Sequence, residues 1–117
     1  MAFIIGDKPA RAKRIEEEIR RMLEAFKAME IEKVILFGSG ARGDIGPCSD
    51  IDLIVVKKTD LPFINRLEEI YSVIEPVIAT DILVYTPEEF DMMKSSNPFV
   101  MRACAEGRLI YENRSET

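Results

Sequence analysis

Apolar residues recur along residues 9–29 at helical spacing. Ile15, Ile19, Met22, Leu23, Phe26 and Met29 share one face, opposite a face of glutamates, arginines and lysines. The pattern predicts an amphipathic helix with Pro9 in its first turn, where the missing N–H has no intrahelical partner to lose. The run "KVILF", residues 33–37, is short, continuous and apolar, and ends at Gly38-Ser39, as a buried strand would. "DIDLIVV", residues 50–56, alternates at first and is then wholly apolar, so it predicts a second strand with only its start facing water. Thr59-Asp60 precede a helical pattern from about 61 to 75, with Leu61, Ile64, Leu67, Ile70, Tyr71 and Ile74 inward and Pro76 as its stop.

"VIATDILVY", residues 77–85, predicts a third strand that carries one charge, Asp81, in a nearly apolar run. Thr86-Pro87-Glu88-Glu89 matches a capping box with proline at the first helical position and opens a short helix through about Lys94. Asn97-Pro98 opens another, with Gly107 expected as its left-handed cap and "RLIYE", residues 108–112, as a fourth strand. About a dozen residues join the first two strands, too few for a crossover with a full helix, so these strands should be antiparallel neighbours. The expected class is α+β: a small mixed sheet of about four strands, with helices covering one face.

Composition narrows the setting. At 117 residues, 47% apolar and 32% charged, the chain is expected to form one globular domain over residues 1–117. Its 16 basic and 21 acidic residues give a net charge of −5, the wrong sign for non-specific attraction to nucleic acid or to an anionic membrane. "AFIIG" is too short for a signal-peptide core, and no apolar run approaches the roughly 20 residues of a membrane span, so a cytoplasmic location is expected. Without histidine the usual mixed Cys/His zinc sets cannot form, and Cys48 and Cys104 read as free thiols.

The candidate chemistry lies in "ILFGSGARGDIGPCSDIDLIVV", residues 35–56. Strand alternation puts Asp50 and Asp52 on one face, roughly 7 Å apart along the backbone. Like charges that close repel unless a cation sits between them, and oxygen-only ligands favour Mg²⁺ or Mn²⁺. Paired carboxylates also serve glycoside hydrolysis, but an adjacent pair on one strand has no sugar-sized cleft between its members. Gly38-Ser39 follows the first strand directly, and glycines let backbone amides approach a phosphate closely. Alone this is a tight turn lacking the lysine of a Walker A loop; beside paired carboxylates it completes the parts that transfer from a nucleoside triphosphate requires. The methionine-rich stretch of Phe90, Met92, Met93, Phe99, Val100 and Met101 is read as core packing in preference to an adaptable partner surface.

Gly38-Ser39, ten intervening residues, then Asp50-Ile51-Asp52 resembles the signature of the minimal nucleotidyltransferases of the DNA polymerase β-like superfamily. "TDILVYTPEEF" and "EGRLIYE" extend the resemblance over a core of residues 33–112. It implies that Asp50, Asp52 and a third aspartate on a later strand, where Asp81 stands, hold two Mg²⁺ or Mn²⁺ ions. It further implies that Gly38 and Ser39 bind the triphosphate of ATP or another nucleoside triphosphate. Arg42 is assigned either to phosphate or to a salt bridge with Asp44. The implied reaction is attack by an acceptor hydroxyl on the α-phosphorus, with Asp81 placed to take the hydroxyl proton. Small members of this family accompany a helical HEPN-type protein as its antitoxin, and some attach AMP to a tyrosine of that partner; this is the leading expectation. Two others stay open: a module that neutralises a partner by contact, and an enzyme modifying a small hydroxylated molecule.

Overall fold

The computed structural model describes residues 7–38 and 51–113. Helix α1 (Asp7–Lys27) leads into β1 (Ile31–Phe37); then come β2 (Ile51–Lys57), α2 (Phe63–Ile74), β3 (Thr80–Tyr85), α3 (Pro87–Met93), α4 (Pro98–Glu106) and β4 (Arg108–Glu112). The sheet order is β3-β2-β1-β4. As the short connection requires, β1 and β2 are antiparallel, while β2 and β3 are parallel across the α2 crossover and β4 pairs antiparallel with β1. The expected α+β class with a four-stranded mixed sheet is what the chain adopts.

The helices do not cover one face only. On one side of the sheet Val34, Leu36, Leu53, Val55 and Val84 are buried with Met22 and Phe26 of α1 and Ile70 and Ile74 of α2. On the other, Ile35, Ile54 and Val56 are buried with Phe90 of α3 and Val100 and Ala103 of α4. The correction follows from β2, which beyond Asp52 is apolar on both faces. Ile54 and Val56 would stand in water without α3 and α4, at roughly 1.5–3 kcal/mol for each side chain.

Local chemistry sets the element ends. Thr86 and Glu89 form the predicted capping box, and Asn97 accepts from the N–H groups of Phe99 and Val100. Thr59 accepts from the Leu61 N–H within the preceding turn, and α2 starts at Phe63, after Leu61; Leu61 and Ile64, both expected to face inward, are exposed. Gly107 is not left-handed but extended, at φ −87° and ψ −172°. It is glycine because a Cβ would lie 2.5 Å from the Ala103 carbonyl oxygen and 2.6 Å from that of Leu36. The methionine-rich stretch divides: Phe90 and Val100 are buried and Met93 packs beside them, whereas Met92, Phe99 and Met101 are exposed.

Two buried charges tie elements together. Arg66 of α2 donates to both Glu89 oxygens, at 2.8 and 3.2 Å, and to the carbonyls of Leu61 and Val84. Glu18 of α1 accepts two bonds from Arg21 and one from the Val77 N–H, each 2.9 Å. Among the described residues no helix is long and apolar enough to cross a membrane.

Candidate active site

Because β1 and β2 are antiparallel and β3 runs with β2, the end of β1 meets the starts of β2 and β3 at one end of the sheet. Asp52 and Asp81 are register partners there, with Ile51 opposite Thr80 and Leu53 opposite Ile82. Neighbouring strands lie about 4.8 Å apart, and partners in register point to the same face. The alternation that buries Ile54 beside α3 and α4 therefore carries both carboxylates onto that face, where Asp52 is half-buried and Asp81 exposed.

Phe37 pairs with Asp52 across β1 and β2, and Gly38 follows it. Gly38 has φ +72°, the left-handed region that favours glycine. A Cβ there would run into the carboxylate of Asp52, with its Cγ at 3.2 Å. The turn glycine is thus packed onto the first carboxylate, and two separate constraints exclude any side chain from that position.

A cleft of about 440 Å³ opens beside these residues, lined by Asp52 and Asp81 together with Phe37, Leu67, Tyr71 and Phe99. Phe37 and Phe99 meet edge to face, with ring centroids 5.4 Å apart, and also line an adjoining hollow of about 220 Å³ bounded by Gly38, Arg102 and Glu106. Tyr71 reaches in from α2: its hydroxyl donates to the Thr80 carbonyl at 2.8 Å and accepts from the Ile82 N–H at 3.2 Å. Burial, reinforced by the charge of Asp81 and opposed by the Ile82 N–H, holds the phenol above its ordinary pKa of 10.0. Tyr71 therefore remains a hydrogen-bond donor at neutral pH.

Of the residues singled out in the sequence, Gly38, Asp52 and Asp81 come together; Ser39, Arg42 and Asp50 lie outside the described residues. No set of three potential metal ligands forms among the described residues. The pair that does form is all oxygen, the donor chemistry that suits a hard divalent cation. Sequence reasoning did not find Tyr71, Phe99 or Arg102 as cleft residues. Tyr71 has the apolar spacing of a core position; the signal available was its hydroxyl, which needs a partner once buried.

The Polymerase beta, Nucleotidyltransferase family profile matches residues 17–116. A relative from Methanocaldococcus jannaschii, MJ0604, described as a candidate protein adenylyltransferase, is 32% identical over 103 residues, covering 82% of this chain and 97% of that protein. A crystal structure of a candidate nucleotidyltransferase from Sulfolobus solfataricus superposes with a TM-score of 0.57 at 23% identity, covering 93% of this chain and 86% of that one. A toxin–antitoxin structure with AMP-PNP gives a TM-score of 0.51 at 19% identity, covering 81% and 73% of the respective chains. These two structural likenesses concern the fold.

Proposed function

The chain belongs to the polymerase beta nucleotidyltransferase family, and from that premise we propose that it transfers AMP from ATP to a hydroxyl of a partner protein. The observation that carries the proposal is the in-register pairing of Asp52 with Asp81, which line one cleft, with Gly38 pressed against the Asp52 carboxylate. The description of MJ0604 as a candidate protein adenylyltransferase supports AMP as the group and a protein as the acceptor.

In this reading Asp50 and Asp52 hold metal, Asp81 completes the set, and the backbone of Gly38 and Ser39 receives the triphosphate, with Arg42 on a phosphate oxygen. Mg²⁺ or Mn²⁺, if held by these carboxylates, would supply the positive charge that the reacting phosphate needs. The acceptor hydroxyl oxygen forms the new bond to the α-phosphorus while the bond to the bridging oxygen breaks, and pyrophosphate leaves. Asp81, the exposed carboxylate at the rim, takes the hydroxyl proton. The left-handed turn at Gly38 keeps side chains out of the phosphate approach, and Phe37 and Phe99 give the cleft apolar walls. The partner is a helical HEPN-type protein, for which this chain is the antitoxin, acting in the cytoplasm.

Separate substitution of the carboxylates tests the assignment. Asp50→Asn and Asp52→Asn should each lower turnover by about a thousandfold or more and weaken metal-dependent ATP binding, because shared ligands are lost. Asp81→Asn should retain most ATP binding and lose turnover. Calorimetry for binding and a labelled-ATP transfer assay for turnover separate these outcomes; full turnover in Asp81→Asn would remove Asp81 from the set.

A further inference from the structure

Asp81 stands on an edge strand. In the order β3-β2-β1-β4, β3 has β2 on one side and no further strand among the described residues on the other. A strand held by one ladder has an outer row of N–H and C=O groups that no neighbour fixes. Of the residues around the carboxylate, Ala79 turns its carbonyl towards β2, where it accepts from Ile51 at 3.2 Å. The alternate residues, Thr80 and Ile82, direct their backbone groups outward, one on each side of Asp81.

Both outward groups meet the same oxygen. The Tyr71 hydroxyl donates to the Thr80 carbonyl at 2.8 Å and accepts from the Ile82 N–H at 3.2 Å. It does for this one pair of groups what another strand would do. We propose that Tyr71 is the positioning residue for Asp81, clamping the edge backbone on either side of it so that the carboxylate stays in register with Asp52. The chemistry selects a hydroxyl, since the bridging atom must donate and accept at once. The rigid phenol ring carries that hydroxyl from α2 with few rotamers to lose. Farther along the same edge Arg66 donates to the Val84 carbonyl at 3.1 Å, so the division of labour places Tyr71 at the carboxylate end. Phenylalanine would keep the ring and leave both backbone groups without this partner.

The inference rests on Asp81 being a metal ligand, so the experiment tests both. Mn²⁺ binding to the full chain is read by electron paramagnetic resonance with an unreactive ATP analogue present, and turnover is read with Mg²⁺, labelled ATP and the protein acceptor. Tyr71→Phe should weaken Mn²⁺ by about ten- to a hundredfold, as loss of a group that orients a ligand does, and lower kcat at limiting Mg²⁺, with KM for ATP within about twofold of wild type. Amide exchange at Ile82 should accelerate. Ile70→Val, a core change in the same helix, controls for lost stability and should leave Mn²⁺ affinity unchanged. Unchanged Mn²⁺ affinity and kcat in Tyr71→Phe, with Asp81→Asn losing both, would overturn the positioning role alone. Unchanged Mn²⁺ affinity in Asp81→Asn would overturn the ligand assignment and the positioning role together.

Discussion

Gly38 sits where two demands coincide, a backbone at φ +72° and a carboxylate with no room beside it. Alanine would have to adopt a left-handed conformation that costs about 1–2 kcal/mol, and its methyl would displace Asp52 from its place opposite Phe37. Gly38→Ala should therefore lower turnover by at least about a hundredfold at limiting metal while reducing stability only modestly; steady-state kinetics beside a thermal melt tests the separation. At this scale the sequence is informative where residue type and position are both unusual. Two aspartates opening an apolar strand, one aspartate inside another and a glycine closing a third announce themselves. Tyr71 does not, because its spacing along α2 is that of its apolar neighbours and only the paired backbone groups of β3 reveal what its hydroxyl does.

Elements were legible to the extent that their signals were local. Helix α3 begins where Thr86, Pro87 and Glu89 say it must, and the antiparallel pairing of β1 and β2 follows from the length of their connection. Gly107 misled because a glycine after a helix fits a left-handed cap and a close backbone approach equally well, and the Leu36 carbonyl that decides the matter lies far away in sequence. Cover on both faces was likewise a property of the whole sheet. The long-range ties hold this arrangement, and both contain a carboxylate held below its ordinary pKa: Glu89, by hydrogen bonding to Arg66, and Glu18. Glu18 is held below its ordinary pKa of 4.5, first by hydrogen bonding to Arg21 and also by the Val77 N–H, against the opposing effect of burial. A carboxylate with a lowered folded-state pKa contributes stability that is fully present above its unfolded pKa and is lost as pH falls through the folded value. Melting temperature should therefore decline as pH drops below about 4.5. Glu18→Ala should cost about 1–3 kcal/mol at neutral pH and make that acid decline shallower. Thermal melts from pH 7 downward check it; an acid limb identical in the variant and the wild type would show that Glu18 is not a source of the decline.

For the whole molecule, charge and chemistry pull in opposite directions. The chain carries a net charge of −5, and ATP would bring more negative charge to a cleft that already contains Asp52 and Asp81. Binding of the nucleotide and transfer should therefore both require Mg²⁺ or Mn²⁺ and fail in EDTA. On the proposed reading this cleft modifies a protein hydroxyl, and a tyrosine is the expected acceptor because a phenol of pKa about 10 is easier to deprotonate beside a metal than an aliphatic hydroxyl. The most direct measurement is intact-mass and peptide mapping of the protein encoded beside this chain, after co-expression with wild type or with the Asp50→Asn/Asp52→Asn double variant. The expected result is an adduct of one AMP on a tyrosine of that partner, dependent on divalent metal and absent with the double variant. A partner that binds equally well to both forms and carries no adduct with either would contradict it.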